Sequence, residues 1–322
     1  MTKPDDSSLD PDELRAVEER ARALLDRASA WARFPTPVDD ILAAAKLTVA
    51  PHSAFDPAVI MAFVRTKATQ AAQVAVNVKS AIAKMFGIYD GGDNVIHIDD
   101  KVGETKQTFV KLHETGHHEL PLHRKLFRIF QDCEKNLAPE VADRFEREAN
   151  NFARFALFQG DEFKKMAADC ACEIKTPMRL AKKFGASVYA ASREFARSHH
   201  KACVVYVLEP IEFCEKSGAR AAVRRIEPSP SFRAQFGCPT DTVITLDHKL
   251  GEILPIGRKM TRPREVTIVD LNGVTHECIA EAFDTTFNVI ILLFPVKALT
   301  ALTIIVPPGV GYGMGTMPGD AA

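Results

Sequence analysis

A chain of 322 residues, 46% hydrophobic and 26% charged, is long enough for two domains that each bury a core. Its 41 basic and 42 acidic residues leave a formal charge of −1, which argues against a protein whose main task is wrapping nucleic acid but leaves room for a local basic patch. Seven scattered cysteines, an odd number, and a polar, acidic opening (MTKPDDSSLDPDE) in place of an export signal predict reduced thiols and a cytoplasmic location.

Residues 1–9 read as a disordered N-terminus. Asp10, Pro11 and Glu13 then mark a helix start: a capping side chain, a proline at the first helical position and an acid near the positive end of the dipole. The helix DELRAVEERARALLDRASAWARF sets Leu14, Val17, Ala21, Leu24, Leu25 and Ala28 on one face. PTPVDDILAAAKLTVAP follows as a loop, a short helix and a strand at 46–50, and residues 57–85 are helix-rich without sharp boundaries. MFGIYDGGDNVIHIDD, at 85–100, places Asp90-Gly91-Gly92-Asp93-Asn94 between an apolar run and an alternating one, the signature of a β-hairpin.

Two helices come next, ETKQTFVKLHETGHHEL and EVADRFEREANNFARFALF (140–158), the second with Phe145, Ala149, Phe152, Ala153, Ala156 and Leu157 along its apolar face. KTPMRLAKKFGASVYAASREFARSHH (175–200) predicts two short helices with Gly185 at the turn, a locally basic segment of helix-turn-helix character. From about 202 the texture changes to short β-branched runs, ACVVYVLEP, DTVITLD, REVTIVDLNG and FNVIILLFP, separated by Pro, Gly and Asp. The apolar stretch 287–306 is broken by Pro295 and Lys297 and reads as buried strands, so no membrane association is expected. The Gly-rich end, 307–322, reads as a flexible tail.

The chemistry lies in KLHETGHHEL, residues 111–120. Positions four apart share a helix face, so His113 and His117 can offer imidazole nitrogens to one ion. Catalytic zinc sites keep three protein ligands and an open position, and Glu114, next to the first histidine, is placed to act as a base toward water there. A polar helix face with two solvated histidines is the plainer reading of the short pattern alone. The second helix offers a third ligand: helical angles favour Glu146 over its competitor Glu148, and Asn150, four residues after Glu146, can orient a ligand histidine by accepting its second ring N–H. His118, His123, Tyr89 and His97 are candidates for stabilising an oxyanion, with no basis for choosing among them. Cys170 and Cys172, a C-x-C pair without a second pair, are weak evidence for metal, and His248, His276 and Cys278 lack a ligand spacing.

TFVKLHETGHHEL followed by FEREANNFARFAL resembles the ImmA/IrrE family of metallo-endopeptidases, which pairs a His-Glu-x-x-His helix with a downstream Glu-x-x-Ala-Asn-x-Phe-Ala helix after a hairpin. The similarity spans about residues 12–200; LFQGDEF stands where the family commonly has a Leu-Met-Pro-like sequence. The resemblance implies a gluzincin-like site with His113, His117 and Glu146 on zinc (or manganese), and Glu114 activating a zinc-bound water for peptide hydrolysis. It also implies a helix-turn-helix transcriptional repressor as the protein substrate. The expected fold is therefore α+β: a zincin-like helical catalytic domain with a small β-sheet (10–170), a helix-turn-helix-like segment (171–201) and a C-terminal β-rich domain for sensing or partner binding (202–306). The rival readings are a DNA-binding regulator and a catalytically inactive partner-binding protein. Either would use Lys182, Lys183 and Arg193 of the 171–201 segment.

Overall fold

The computed structural model describes residues 8–50, 87–90, 94–98, 103–123, 139–214 and 218–296. The expected helix-rich stretch at 57–85 and the flexible tail at 307–322 lie outside them, as do most of the expected disordered N-terminus and the side chains of Tyr89 and His97. Among the described residues the fold is α+β, as expected: a zincin-like helical part with a small sheet, followed by a β-rich C-terminal part.

Helix α1 (Pro11–Arg27) begins where the sequence places it, with the Asp10 carboxylate accepting the Asp12 N–H at 3.0 Å and Pro11 in the first turn. Val17, Ala21, Leu24 and Leu25 are buried on its inner face. It stops at Arg27, earlier than the pattern alone suggests, because Ser29 and Ala32 take positive φ and the chain turns back. Helix α2 (Val38–Ala44) and the short strand β1 (Thr48–Val49) follow.

Strands β2 (Gly87–Asp90) and β3 (Val95–Ile98) form the expected antiparallel hairpin, and β1 adds in parallel on the other side of β3, Thr48 facing Val95. Among the described residues the order β1-β3-β2 leaves β2 at an edge. Helix α3 (Glu104–Glu119) and helix α4 (Pro139–Phe158) come next, and they pack on each other. Gly116 sets how closely: a Cβ there would stand 3.2 Å from Phe152 Cβ and 3.3 Å from Ala149 Cα. Gly116→Val forces these helices apart. The expected destabilisation, about 1–3 kcal/mol in urea unfolding, is that of an overpacked core.

Helices α5 (Asp161–Ala168), α6 (Lys175–Phe184) and α7 (Val188–Ser198) complete the helical part. Between α6 and α7, Gly185 has φ +72° and closes the helix in the left-handed region, as the turn reading required. Phe184, fully buried, packs edge-on against Phe34 and Phe158.

The C-terminal part is an antiparallel sheet of β4 (Val204–Leu208), β5 (Glu212–Cys214), β6 (Gly218–Pro228), β7 (Val243–Thr245), β8 (Arg264–Val269), β9 (Thr275–Asp284) and β10 (Val289–Pro295). Its order is β5-β6-β4-β10-β9-β8, with β7 also paired to β6. Helix α8 (Pro230–Phe236) follows β6, its first turn capped by Ser229. The central strands are buried on both faces: Val205, Val207, Ile290 and Leu292 join the helical core, whereas Val204, Tyr206, Leu208, Ile291 and Leu293 fill a second core. Burial on both faces explains why β4 and β10 read as unbroken apolar runs, with no alternation. Strands β6 and β9 escape a search for β-branched runs because their buried positions are mostly small or charged: Ala219, Ala221, Arg225 and Glu227 beside Val223 on β6, and Cys278, Ala280, Glu281 and Ala282 on β9.

Candidate metal centre

Helix geometry does the first part of the work. His113 and His117 lie one turn apart on α3, and their Nε2 atoms approach to 3.1 Å. The second part comes from α4, which the Gly116 contact brings close enough for Glu146 to reach both rings. Its Oε2 is 3.3 Å from His113 Nε2 and its Oε1 is 3.6 Å from His117 Nε2. Both histidines are largely buried, whereas Glu146 keeps much of its side chain exposed, so the group lies at the rim of the helical core.

The far nitrogens of the two rings are also engaged. His113 Nδ1 meets Asn150 Oδ1 at 3.0 Å, and an amide oxygen can only accept, so Nδ1 carries the proton. His117 Nδ1 meets His123 Nδ1 at 3.0 Å, and His123 Nε2 in turn meets Glu148 Oε2 at 2.6 Å. The carboxylate takes the His123 Nε2–H, which leaves His123 Nδ1 as an acceptor and makes His117 Nδ1 the donor. Arg144 Nε donates to Glu148 Oε1 at 3.0 Å and closes the chain. With Nδ1 protonated, the neutral form of each α3 imidazole has its lone pair on Nε2, the atom that faces Glu146. Metal-binding imidazoles are oriented in this way.

The charges of these groups are coupled. Burial pushes His113 down, but its hydrogen bond to Glu146 and the charge of Glu114 outweigh that and leave it raised. Burial works to raise Glu146 as well, yet the imidazoles around it, His113 first, hold its carboxyl down at about 2. His117 is pushed well below its usual value, first by burial and then by His113, which favours its neutral form. Burial alone would raise Glu148, but His123 and Arg144 keep it low and ionised.

Whether the three donors suit an ion is a question of size. Ligands about 2.0–2.1 Å from a tetrahedral zinc lie roughly 3.3–3.4 Å from one another. The separations of 3.1, 3.3 and 3.6 Å bracket that value. Two imidazoles and a carboxylate also form a donor set that zinc accepts. The residues fit the group.

The remaining expected residues fall as follows. Glu114 is buried, 8% exposed, on the same helix. Glu148, the competitor of Glu146, faces His123 and Arg144. His118 is buried outside the donor group. His123, weighed above for an oxyanion, instead stacks on Phe145 with ring centroids 4.0 Å apart and links His117 to Glu148. Its sequence signal was slight, since it follows the end of α3 and belongs to no periodic pattern. In the basic segment, Lys182 and Lys183 are exposed, with Lys183 Nζ 4.8 Å from the centre of the Phe34 ring. Arg193 is turned inward: its Nε donates to Glu227 at 3.1 Å and only 12% of its side chain is exposed. Arg197 bonds the same carboxylate at 2.8 Å, and together they fasten α7 to β6.

A His-Glu-x-x-His helix packed against a second helix that bears a carboxylate is an arrangement that zinc peptidases use. Residues 75–195 match the family model of the M78 peptidases, described as the IrrE N-terminal-like domain. The match covers little more than a third of the chain and agrees with the ImmA/IrrE resemblance of its motifs. No curated protein matches it. Among solved structures, a Mycobacterium tuberculosis transcriptional regulator is similar at 12% identity and a TM-score of 0.48, over 88% of this chain and 89% of that one. Among the described residues, no helix is long and apolar enough to cross a membrane.

Proposed function

We propose that this protein is a metal-dependent endopeptidase that cleaves a specific regulatory protein, a helix-turn-helix transcriptional repressor. The observation that carries the reading is the convergence of His113, His117 and Glu146, with both imidazoles oriented through their far nitrogens. These three residues would hold zinc, or manganese in its place. When bound, the cation supplies Lewis acidity toward the scissile carbonyl and acidifies water.

The chain's own residues supply the rest. Glu114, acceptor-only as a carboxylate, takes the proton of the attacking water and returns it to the leaving amine. Asn150 and His123 hold the two imidazoles in the tautomer that offers Nε2 to a cation. Strand β2, at the edge of its sheet, offers main-chain hydrogen bonds to an extended substrate segment. On this reading residues 10–170 form the peptidase domain and 171–201 an adjoining helical pair. Residues 202–306 sense a signal or bind the partner, and Lys182 and Lys183 are the basic side chains left free to meet it.

The direct test mixes the purified chain with zinc or manganese and a candidate helix-turn-helix repressor. Two discrete fragments support the reading; an intact repressor under both metals, with the repressor still bound, turns it into a partner-binding protein. A gel-shift separates the DNA-binding rival. Since Arg193 is committed to Glu227, salt-dependent duplex binding that vanishes in a Lys182→Ala, Lys183→Ala double variant is not expected.

Removing an orienting group should weaken the site without destroying it. Asn150→Ala and His123→Ala are each expected to lower metal affinity about 10–100-fold, read by competition with a chelating dye. An unchanged affinity in both variants would mean that the imidazoles need no such support.

A further inference from the structure

A second set of side chains with metal-ligand chemistry converges elsewhere in the described residues. Cys172, His199 and Cys203 bring two sulfurs and a ring nitrogen within 4.8 Å of one another. They come from three different places. Cys172 lies in the bend between α5 and α6, His199 ends α7, and Cys203 immediately precedes β4. Both cysteines are free thiols.

The group is built in, with little freedom to move. Cys203 is fully buried, His199 is 2% exposed, and only Cys172 is partly open to solvent. The Cys203 N–H donates to Ser229 Oγ at 3.0 Å, and its carbonyl accepts the Ser229 N–H at 2.8 Å. Ser229 Oγ also donates to the Lys201 carbonyl at 2.9 Å, so the whole 201–203 connection is pinned to the start of α8. His199 Nδ1 accepts the Lys201 N–H at 3.2 Å, which leaves Nε2 as the ring atom in need of a partner. That atom is buried and has no hydrogen-bond partner. An orphaned polar atom on a buried imidazole, beside two buried or half-buried thiols, calls for a ligand.

Size and softness narrow the choice. Around a tetrahedral zinc with sulfur ligands at about 2.3 Å, neighbouring donors lie roughly 3.5–3.8 Å apart. A contraction of at most about 1.0–1.3 Å from the observed limit of 4.8 Å reaches that geometry. Two thiolates and an imidazole favour zinc and its softer neighbours over magnesium or calcium, which take oxygen. We propose that Cys172, His199 and Cys203 form a second, thiolate-rich metal site for a cation of the zinc class, tying the α5–α6 bend and the end of α7 to the start of the C-terminal sheet. Coordination through Nε2 moves the ring proton to Nδ1, so the Lys201 N–H contact opens on binding. Three protein ligands leave a fourth position for water or an exogenous ligand, reached from the Cys172 side. The site is independent of the peptidase reading, because none of its residues belongs to the His113 group.

Cobalt(II) distinguishes the two sites, since only this one contains sulfur. The full chain, purified under a phosphine reductant and stripped of metal, is titrated anaerobically with Co2+. A sulfur-to-cobalt charge-transfer band in the near ultraviolet is expected, saturating within two equivalents because the His113 group can take up the other ion, and displaced by Zn2+. Cys172→Ser and Cys203→Ser should each abolish it, His199→Gln should weaken cobalt binding at least tenfold, and Cys170→Ser and Glu146→Gln should leave it intact. Absence of the band in the unaltered chain, or its survival in both the Cys172→Ser and Cys203→Ser variants, overturns the proposal. So does a Cys172–Cys203 disulfide that persists under the reductant and excludes the metal. Should a serine variant lose its circular-dichroism signal, alkylation of the unaltered chain replaces it: Zn2+ should protect Cys172 but not Cys170, and equal labelling of Cys172 with and without Zn2+ overturns the site.

Discussion

The Glu114→Gln variant is expected to keep its fold and its bound cation and to lose about 10²–10⁴ of its cleavage rate, the usual contribution of a positioned general base. The side chain is nearly isosteric, and Glu114 is not one of the three converging donors, so metal content measured on the purified variant should match the parent. What changes is proton acceptance: a neutral amide cannot take a proton from water. Cleavage of a repressor followed by gel, beside a metal assay on the same preparation, reads both properties. A variant that cuts at the parental rate would remove Glu114 from the reaction. One that loses its metal as well would place it in the metal-binding set.

A comparison of Glu146→Gln with Glu148→Gln carries the other large effect. On the proposed reading the first removes a metal ligand: bound zinc should fall well below one equivalent after dialysis, and cleavage should fall with it. The second cuts the far end of the His117–His123–Glu148 chain. It should retain the metal with affinity lowered about 10–100-fold, as other supporting groups do. The two glutamates stand two positions apart on one helix, so a general effect on α4 would strike both variants alike. If Glu148→Gln is the one that empties the site, the assignment is reversed.

The Glu146 and Glu148 pair also shows how far a linear pattern reaches. Helical angles placed Glu146 nearer the centre of the apolar face, and α4 does turn it toward the two imidazoles. Angle alone, however, cannot say where the neighbouring helix runs. That depends on Gly116, whose missing side chain lets Ala149 and Phe152 come within ordinary contact of α3. Arg193 illustrates the opposite case. In the sequence it belongs to a basic run suited to a partner, but Glu227, which draws it inward, lies on a strand, β6, that the search for β-branched runs passed over.

By itself the sequence determined the features with a short repeat length. These include the cap of α1, the pairing of β2 with β3, the apolar face of α4 and the placing of His113 and His117 on one side of α3. Each follows from the rise and twist of a single element, which every few residues report. The tertiary structure alone decided that His123 supports His117, that Glu148 serves His123, and that Cys172, His199 and Cys203 meet at all. Those residues sit on bends and element ends, where no periodicity operates, and only side-chain packing between separate elements sets the distances between them.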